Sequence, residues 1–250
     1  MHNIQTIRAV ISGVSGSGKT TYLRKKILRF RQKVSQTVII NYKPDLHALA
    51  SGKFDIGNDA PITDIRQALD NHRTSFFLVD GNKPEPFLNK LGYLILQRKN
   101  VLVVVDEAYR FMPRGRAPER MMHLITKGRS NGIHVICATQ MLKASNGMAL
   151  DLAVLEQASH LISFQLSGSS NIERFTEYIP ELGQQVSYLN VPDDGGIPEY
   201  VVKHKRGAHH EVKLYTRSPR SNKSYVEIDI SNPKQRLNIQ ALRKQEKAIL

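Results

Sequence analysis

A short run near the start of the chain, GVSGSGKT at residues 13–20, has the composition and spacing of a phosphate-binding loop. Its glycines can adopt backbone conformations that let N–H groups approach the phosphates of a nucleotide. The ammonium of Lys19 would reach the β- and γ-phosphates, and the hydroxyl of Thr20 is placed to bind Mg²⁺. The loop therefore predicts ATP and Mg²⁺ as cofactors. The residues predicted to hold the nucleotide are Gly13, Val14, Ser15, Gly16, Ser17, Gly18, Lys19, Thr20 and Thr21.

A pair of acidic residues, Asp106 and Glu107, directly follows the apolar run VLVVV at residues 101–105. A carboxylate in that position lies at the carboxyl end of a strand, beside the phosphate loop in parallel sheets. We expect Asp106 to hold Mg²⁺ through water, and Glu107 to orient and deprotonate the attacking water. The second carboxylate favours hydrolysis, because a kinase must keep water away from the γ-phosphate.

Two further residues flank the next apolar strand, GIHVICATQ at residues 132–140. Gln140 closes it, and a neutral amide there can bind the γ-phosphate or the attacking water and so sense hydrolysis. Arg129 precedes it, and arginine is suited to stabilising transferring phosphate charge from a neighbouring subunit. Arg120 and Lys127 are nearby alternatives for that role. The predicted catalytic residues are Lys19, Glu107, Gln140 and Arg129, and the predicted metal ligands are Thr20 and Asp106.

The elements that must position these residues alternate between apolar strands and amphipathic helices, which predicts a mainly parallel α/β sheet with helices on both faces. Strands are predicted at 6–13, 37–42, 75–81, 101–108, 132–140 and 160–167. Helices are predicted at 19–30, 62–72, 85–99, 117–128, 148–158 and 170–179. The stretches 199–205 and 211–218 indicate a hairpin, and from Pro219 onward we expect a basic tail that is flexible or ordered by a partner, with a short helical patch at 240–249.

The charge and cysteine content narrow the class of protein. The formal net charge is +14, of which +8 falls between Lys203 and Leu250, and such a field attracts polyanions. The single cysteine, Cys137, excludes an intrachain disulfide, fits a reducing compartment, and lies in an apolar run typical of a buried, inert thiol. No apolar stretch approaches the ~18 residues of a membrane span. We therefore expect a soluble intracellular protein.

Three segments together, GVSGSGKT, VLVVVDEA and KGRSNGIHVICATQ, resemble the HerA–FtsK superfamily of DNA-pumping ATPases. The resemblance covers roughly Thr6 to Val191, and its most specific part is the third segment. It implies a RecA-like P-loop fold and makes Arg129 an arginine finger that acts on a neighbouring subunit. A bare core with a short tail is most similar to the small genome-packaging ATPases of tailless viruses. Filamentous-phage assembly ATPases and HerA-like cellular DNA pumps are the alternatives.

The resemblance also implies partners and an organisation of the chain. We expect an ATPase core at residues 1–202 and a basic extension at 203–250. The partners implied are double-stranded DNA, held through its phosphates, and further copies of the chain in a pentameric or hexameric ring. A capsid vertex or a membrane-associated portal protein is a candidate docking partner. The expected location is the cytoplasm of the host cell, with the virion as an alternative.

Two other functions remain open at this point. The stretch YRFMPRGRAPER at 109–120 carries four arginines and could form the lid of a small-molecule kinase. Because it contains Pro and Gly and follows the acidic strand, we interpret it as an exposed loop that contacts DNA in the pore of a ring. A non-catalytic adaptor, in which ATP only controls assembly, is disfavoured by the presence of Glu107 and Arg129. An ABC-type ATPase is excluded, because the signature-like LSGSS at 166–170 follows the acidic strand instead of preceding it.

Overall fold

A computed structural model describes residues 6–56, 59–79, 84–143, 149–191, 197–206, 209–218, 221–232 and 239. Within these residues, ten strands form one sheet in the order β10-β9-β8-β7-β1-β6-β5-β2-β4-β3. The strands are β1 (Arg8–Ser12), β2 (Gln36–Asn41), β3 (Gly52–Ile56), β4 (Thr74–Val79), β5 (Val101–Val105), β6 (His134–Thr139), β7 (His160–Ser163), β8 (Tyr200–Arg206), β9 (His209–Ser218) and β10 (Ser221–Asp229).

The strands from β7 to β3 in this order are all parallel. β1, β5 and β6 are buried along their whole length, which is why their sequences read as near-continuous apolar runs. The registers pair Ser12 with Thr139 and Val105 with Cys137, so the phosphate loop, the acidic pair and Gln140 leave the sheet at one edge. The short β3 was not predicted from the sequence.

Helices cover both faces of the sheet, as predicted. They are α1 (Lys19–Phe30), α2 (Ile62–Asn71), α3 (Glu85–Leu96), α4 (Ala108–Phe111), α5 (Glu119–Thr126), α6 (Leu152–Glu156) and α7 (Ser169–Tyr178). Leu23 and Ile27 of α1 pack on one face, with Ile11 of β1. The opposite face carries a larger core that includes Leu91 of α3 and Leu124 of α5. No helix among the described residues is long and apolar enough to cross a bilayer.

The predicted hairpin is part of an antiparallel extension of the same sheet. β8 pairs with β7, from His160 opposite His204 to Ser163 opposite Val201, and β9 pairs with β8. The expectation of a flexible tail from Pro219 is wrong for Ser221–Asp229, because this segment forms β10 by pairing with β9. The side chains at 224–229 are mostly exposed, so this part of the sequence lacks the apolar pattern that marks a buried strand. The predicted helical patch at 240–249 lies outside the described residues.

Candidate active site

The phosphate loop connects β1 to α1 and depends on glycine at two positions. Gly16 and Gly18 have φ angles of 76° and 96°, in the left-handed region that side chains with a Cβ rarely adopt. A Cβ on Gly18 would also lie 2.5 Å from Cγ of Pro198. The N–H of Val14 donates to the carbonyl of Gln165 at 2.9 Å, which anchors the loop to the segment after β7.

Lys19 is buried at the first position of α1, and its Nζ donates to the carbonyl oxygen of Val14 at 2.8 Å. Burial lowers the pKa of Lys19, while the charges of Glu107 and Asp106 oppose that shift. The lysine is therefore electrostatically coupled to both carboxylates across the loop. The hydroxyl of Ser17 is also buried, and it has no hydrogen-bond partner among the described residues. Phosphate oxygens in the loop would supply acceptors for both groups.

The acidic pair follows β5, and both side chains are buried. Asp106 accepts hydrogen bonds from the N–H of Glu107 at 3.0 Å and from Nδ2 of Asn41 at 3.2 Å. Burial, and then the charge of Glu107, raise the pKa of Asp106 to about 6. Glu107 has φ 49° and ψ 48°, a left-handed conformation that costs about 1–3 kcal/mol in a residue other than glycine. Strain of this kind is typical of functional positions.

Gln140 lies between the phosphate loop and the acidic pair, because β6 separates β1 from β5. Its Nε2 donates a hydrogen bond to Oε1 of Glu107. The second oxygen, Oε2 of Glu107, is buried and has no hydrogen-bond partner among the described residues. The sequence predicted that Gln140 binds the γ-phosphate or the attacking water, and it gave no sign of this contact with Glu107.

These residues fit a magnesium–triphosphate group. Two buried carboxylates lie next to each other in the chain, and the charge of the buried Lys19 acts on both. Burial, and then the charge of Glu107, disfavour the charged form of Asp106. A divalent cation would stabilise that charged form, and carboxylate and hydroxyl oxygens are the ligands that Mg²⁺ prefers. Thr20 follows Lys19 on the first turn of α1 and offers its hydroxyl as the second predicted ligand.

Asn41 is a site residue that the sequence analysis missed. It closes β2, is 1% exposed, and its Oδ1 accepts hydrogen bonds from the N–H groups of Tyr42 and Lys43 at 2.8 and 3.2 Å. Its amide therefore fixes Asp106 on one side and the turn after β2 on the other. The available signal was a polar residue at the end of an apolar strand, the pattern that also identified Asp106 and Gln140.

No family model matches the chain, and no curated protein matches it in sequence. Solved structures resemble it in fold. The genome packaging NTPase B204 from Sulfolobus turreted icosahedral virus 2, in complex with AMPPCP, has a TM-score of 0.62 and 16% identity over 83% of this chain and 96% of that one. The DNA-packaging ATPase B204 from Sulfolobus turreted icosahedral virus has a TM-score of 0.60 and 19% identity over 84% and 97%. The fold of this chain is therefore similar to that of these packaging NTPases.

The pCW3 conjugation coupling protein TcpA, a monomer form with ATPgS, has the same kind of fold, with a TM-score of 0.51 and 11% identity. That match covers 97% of this chain and 66% of TcpA. At these identities the likeness concerns the fold. It agrees with the HerA–FtsK resemblance of the sequence segments, and the predicted α/β architecture with a mainly parallel sheet is confirmed.

Arg129 lies at the opposite edge of this ATPase fold from the phosphate loop. It is exposed, in a single helical turn at Gly128–Asn131 that precedes β6, and its Nη2 donates to the carbonyl of Gln157 at 3.3 Å. The structure therefore does not bring Arg129 together with Lys19 and Glu107 in one chain. Any role in catalysis would require the active site of a second copy.

Arg8, the first residue of β1, holds the segment that carries Arg129 in place through hydrogen bonds. The buried guanidinium of Arg8 donates to the carbonyls of Leu124 and Ile125 at 3.0 and 2.9 Å, and also to the carbonyl of Ile133. Its contacts thus hold both ends of the connection between α5 and β6. Burial, and then the charge of Arg129, lower the pKa of Arg8 to about 10.

The stretch 109–120, predicted to be an exposed basic loop that contacts DNA, is a loop only between α4 and α5, because 109–111 lie in α4 and 119–120 in α5. Arg114 and Arg116 are exposed there, and the N–H of Gly115 donates to Oδ2 of Asp151 at 3.1 Å. The loop thus presents its cations to solvent while Asp151 holds its backbone. Of the alternatives to Arg129, Arg120 lies with its Cζ 6.0 Å from the centre of the Tyr93 ring.

An aromatic cavity of about 550 Å³ opens on the other side of the phosphate loop, towards β8. The rings of Tyr22 and Tyr200 pack edge-to-face with their centres 5.2 Å apart, and the rings of Tyr225 and Tyr200 do the same, also with centres 5.2 Å apart. Burial raises the pKa values of Tyr22 and Tyr200, so both phenols stay protonated. Nothing in the sequence pattern predicts this cavity. Its lining includes Gly16, Gly18, Thr21, Tyr22, Pro198, Tyr200 and Tyr225.

Proposed function

We propose that the chain is an ATP-driven translocase of double-stranded DNA that packages a viral genome into a preformed capsid. The observation that carries the proposal is the position of Glu107: a buried carboxylate beside the phosphate loop, coupled to Lys19, with Oε2 unpartnered among the described residues. That oxygen is available to accept a proton from water, which a small-molecule kinase would have to avoid.

In this proposal the reaction is the hydrolysis of ATP. The loop at residues 13–20 binds the phosphates, and Lys19 stabilises the charge on the β- and γ-phosphates. Mg²⁺, when bound by Asp106 and Thr20, neutralises charge on the same phosphates. Glu107 takes a proton from the attacking water, and Gln140 binds the γ-phosphate or that water.

The proposed assembly is a ring in which each ATP lies between two copies of the chain. Arg129 is exposed and lies at the edge of the sheet away from its own phosphate loop, which supports a role in the active site of a neighbouring copy. Head-to-tail contacts of this kind close into rings, here of five or six copies. Loss of the γ-phosphate would release Glu107, Gln140 and the neighbour's arginine, and the basic loop with Arg114 and Arg116 would move the DNA by its phosphates.

The B204 neighbours, named as genome packaging and DNA-packaging proteins, support the choice of viral packaging, because the match spans nearly their whole chains. The likeness to TcpA supports a second candidate, DNA transfer in conjugation or a related cellular DNA pump. We further propose that residues 1–202 act as the ATPase core and 203–250 as an extension that contacts DNA, a neighbouring copy or a capsid vertex. The boundary between them falls inside β8, where the sheet is continuous.

One experiment separates these functions. We would measure ATP hydrolysis by the full chain with and without long double-stranded DNA, using Lys19→Ala as the inactive control. A motor should hydrolyse ATP faster when DNA is present, and more so on longer DNA. Transfer of phosphate to a small molecule would identify a kinase, and nucleotide binding without turnover under all conditions would identify an adaptor. Either of the last two results would overturn the proposal.

A further inference from the structure

The two sides of the phosphate loop differ in chemistry. On the side of β6 and β5 lie Gln140, Asp106 and Glu107, which mark where the γ-phosphate is cleaved. The nucleoside must therefore leave the loop on the other side, towards β7 and β8. The aromatic cavity lies on that side, and Gly16, Gly18 and Thr21 line both the cavity and the loop.

The wall of the cavity is built by rings from separate elements. Tyr22 comes from α1, Tyr200 from β8 and Tyr225 from β10. Tyr215 of β9 stacks behind Tyr200, with ring centres 4.7 Å apart and planes 11° apart, and Phe164 packs against Tyr22 with centres at 5.7 Å. The rings support one another, so the wall is formed before a ligand arrives. A flat aromatic base gains stacking energy on such a surface.

The last strand is linked to the phosphate loop through Pro198. The hydroxyl of Tyr225 donates to the carbonyl of Pro198 at 3.0 Å, and Cγ of Pro198 would lie 2.5 Å from a Cβ on Gly18. Tyr225 lines the cavity and is 38% exposed, so the residue stays accessible to a ligand. The lining also includes Lys25, Lys26 and Arg29, and the volume of about 550 Å³ accommodates a base with its ribose.

We propose that this cavity binds the base and ribose of the nucleotide, and that Tyr225 of β10 is a residue that determines its affinity. The inference rests on the proposed function, since it requires that the loop at 13–20 holds the phosphates. It gives the antiparallel extension of the sheet, formed by β8, β9 and β10, a role in the nucleotide site itself. The extension then supplies two of the lining residues, Tyr200 and Tyr225, in addition to any contact with DNA or with another copy.

The test compares two ligands, ATP and inorganic tripolyphosphate, by calorimetric titration of the full chain with Mg²⁺. The parent should bind ATP more tightly than tripolyphosphate, because the base adds stacking. Tyr225→Ala should weaken ATP binding by about ten- to a hundredfold and leave tripolyphosphate binding unchanged. Unchanged tripolyphosphate binding also shows that the variant is folded and its loop intact. Tyr225→Phe keeps the ring and should bind ATP within a few-fold of the parent.

A matched control is Tyr93→Ala, which removes an equally exposed ring from α3, on the far face of the sheet (Tyr93 is 43% exposed). It should bind both ligands as the parent does. Equal effects of Tyr225→Ala and Tyr93→Ala on ATP would overturn the inference and leave the proposed function standing. So would a Tyr225→Ala variant that binds ATP normally but loses binding to double-stranded DNA. Failure of the parent to bind either ligand would instead overturn the proposed function.

Discussion

The side-chain amide of Gln140 donates a hydrogen bond to the carboxylate of Glu107, between the ends of two neighbouring strands. The contact joins the residue proposed to sense the γ-phosphate to the residue proposed to activate water. While the amide is bound to Oε1 of Glu107, that oxygen cannot accept a proton from water as readily. A γ-phosphate that competes for the amide would free the carboxylate, so nucleotide binding and base activity would be linked.

Removal of the Gln140 amide should slow turnover without weakening nucleotide binding. Gln140→Leu takes away the donor that contacts the carboxylate of Glu107 and that is proposed to bind the γ-phosphate or the attacking water. We expect kcat to fall by at least about tenfold, with ATP affinity changed by less than about threefold. Gln67→Leu, on the exposed face of α2, is the matched control. Turnover of Gln140→Leu within a few-fold of the parent would contradict this role.

The variant Glu107→Gln separates binding from chemistry. Glutamine has the same shape, and its carbonyl oxygen can still accept the hydrogen bond from Gln140, but it cannot take a proton from water. We expect ATP binding close to that of the parent and turnover reduced by about 10²- to 10⁴-fold. Calorimetric titration and a phosphate-release assay measure the two quantities. Turnover that survives within a few-fold of the parent would mean that another group is the base.

The action of Arg129 on a neighbouring copy can be tested by mixing two inactive variants. Lys19→Ala loses its own phosphate site but keeps the arginine, and Arg129→Ala has the reverse defect. Each alone should hydrolyse ATP about a thousandfold more slowly than the assembled parent. A mixture should regain a measurable fraction of activity, because some interfaces join an intact loop to an intact arginine.

Arg66→Ala, which removes an exposed arginine from α2, should behave as the parent does in the same assay. Nucleotide binding by Arg129→Ala should also stay unchanged, since Arg129 lies away from its own phosphate loop. If the two inactive variants stay inactive when mixed, while both still assemble, then Arg129 is not the shared residue. Arg120 and Lys127 would be substituted next in the same design.

The raised pKa of Asp106 predicts how stability depends on pH without nucleotide and metal. Its carboxyl has a pKa of about 6 in the folded chain, against an ordinary value of 3.8. The folded state therefore holds this proton more tightly, and the free energy of unfolding should fall as pH rises from about 4 to about 6. Asp106→Asn removes this titration, so its melting temperature should fall less than that of the parent between pH 4.5 and pH 7.

The exposed Asp64 on α2 supplies the control for that measurement. Asp64→Asn should keep the pH dependence of the parent, because the substitution leaves the buried carboxyl of Asp106 unchanged. Identical curves for Asp106→Asn and the parent would show that the charge of Asp106 is already neutralised in the folded chain. Added Mg²⁺ should raise the melting temperature of the parent more than that of Asp106→Asn, since the cation stabilises the charged form of the Asp106 carboxyl.

A buried ion pair holds the antiparallel extension against the segment after α7. Nζ of Lys203 lies 3.3 Å from Oε1 of Glu181, and the side chains are 9% and 3% exposed. Nε2 of His210 lies 2.9 Å from the same oxygen. Glu181→Ala would leave the Lys203 ammonium buried without its carboxylate, which should destabilise the chain by about 3 kcal/mol in urea unfolding. Glu173→Ala, which breaks an exposed pair with Lys143, should have a much smaller effect.

The sequence predicted the parts of the site that depend on local pattern. The phosphate loop, the acidic pair and Gln140 each lie at the end of an apolar strand. Both faces of these strands are buried, so their sequences are continuous apolar runs that can be recognised without the structure. The sequence pattern predicts neither the edge strand β3 nor β10, because neither carries a continuous apolar run. Their positions are set by backbone pairing with β4 and β9.

Contacts between distant segments could not be predicted in the same way. Tyr22 and Tyr225 stand at opposite ends of the chain and meet at one cavity only because β8, β9 and β10 fold back beside β1 and β7. Asn41 reaches Asp106 because β2 is the neighbour of β5, an order that hydrophobic periodicity does not encode. The pattern of residues identifies strands, but the order of strands in the sheet decides which side chains meet.

The sheet runs without a break from β10 through β7 to β3, and its backbone hydrogen bonds cross the junction between β7 and β8. A hinge at that junction would have to break these hydrogen bonds, so a load on β8–β10 would pass through the sheet towards the phosphate loop. If copies assemble into the proposed ring, the displacement that moves DNA would then have to arise at the contacts between copies and in the exposed loops.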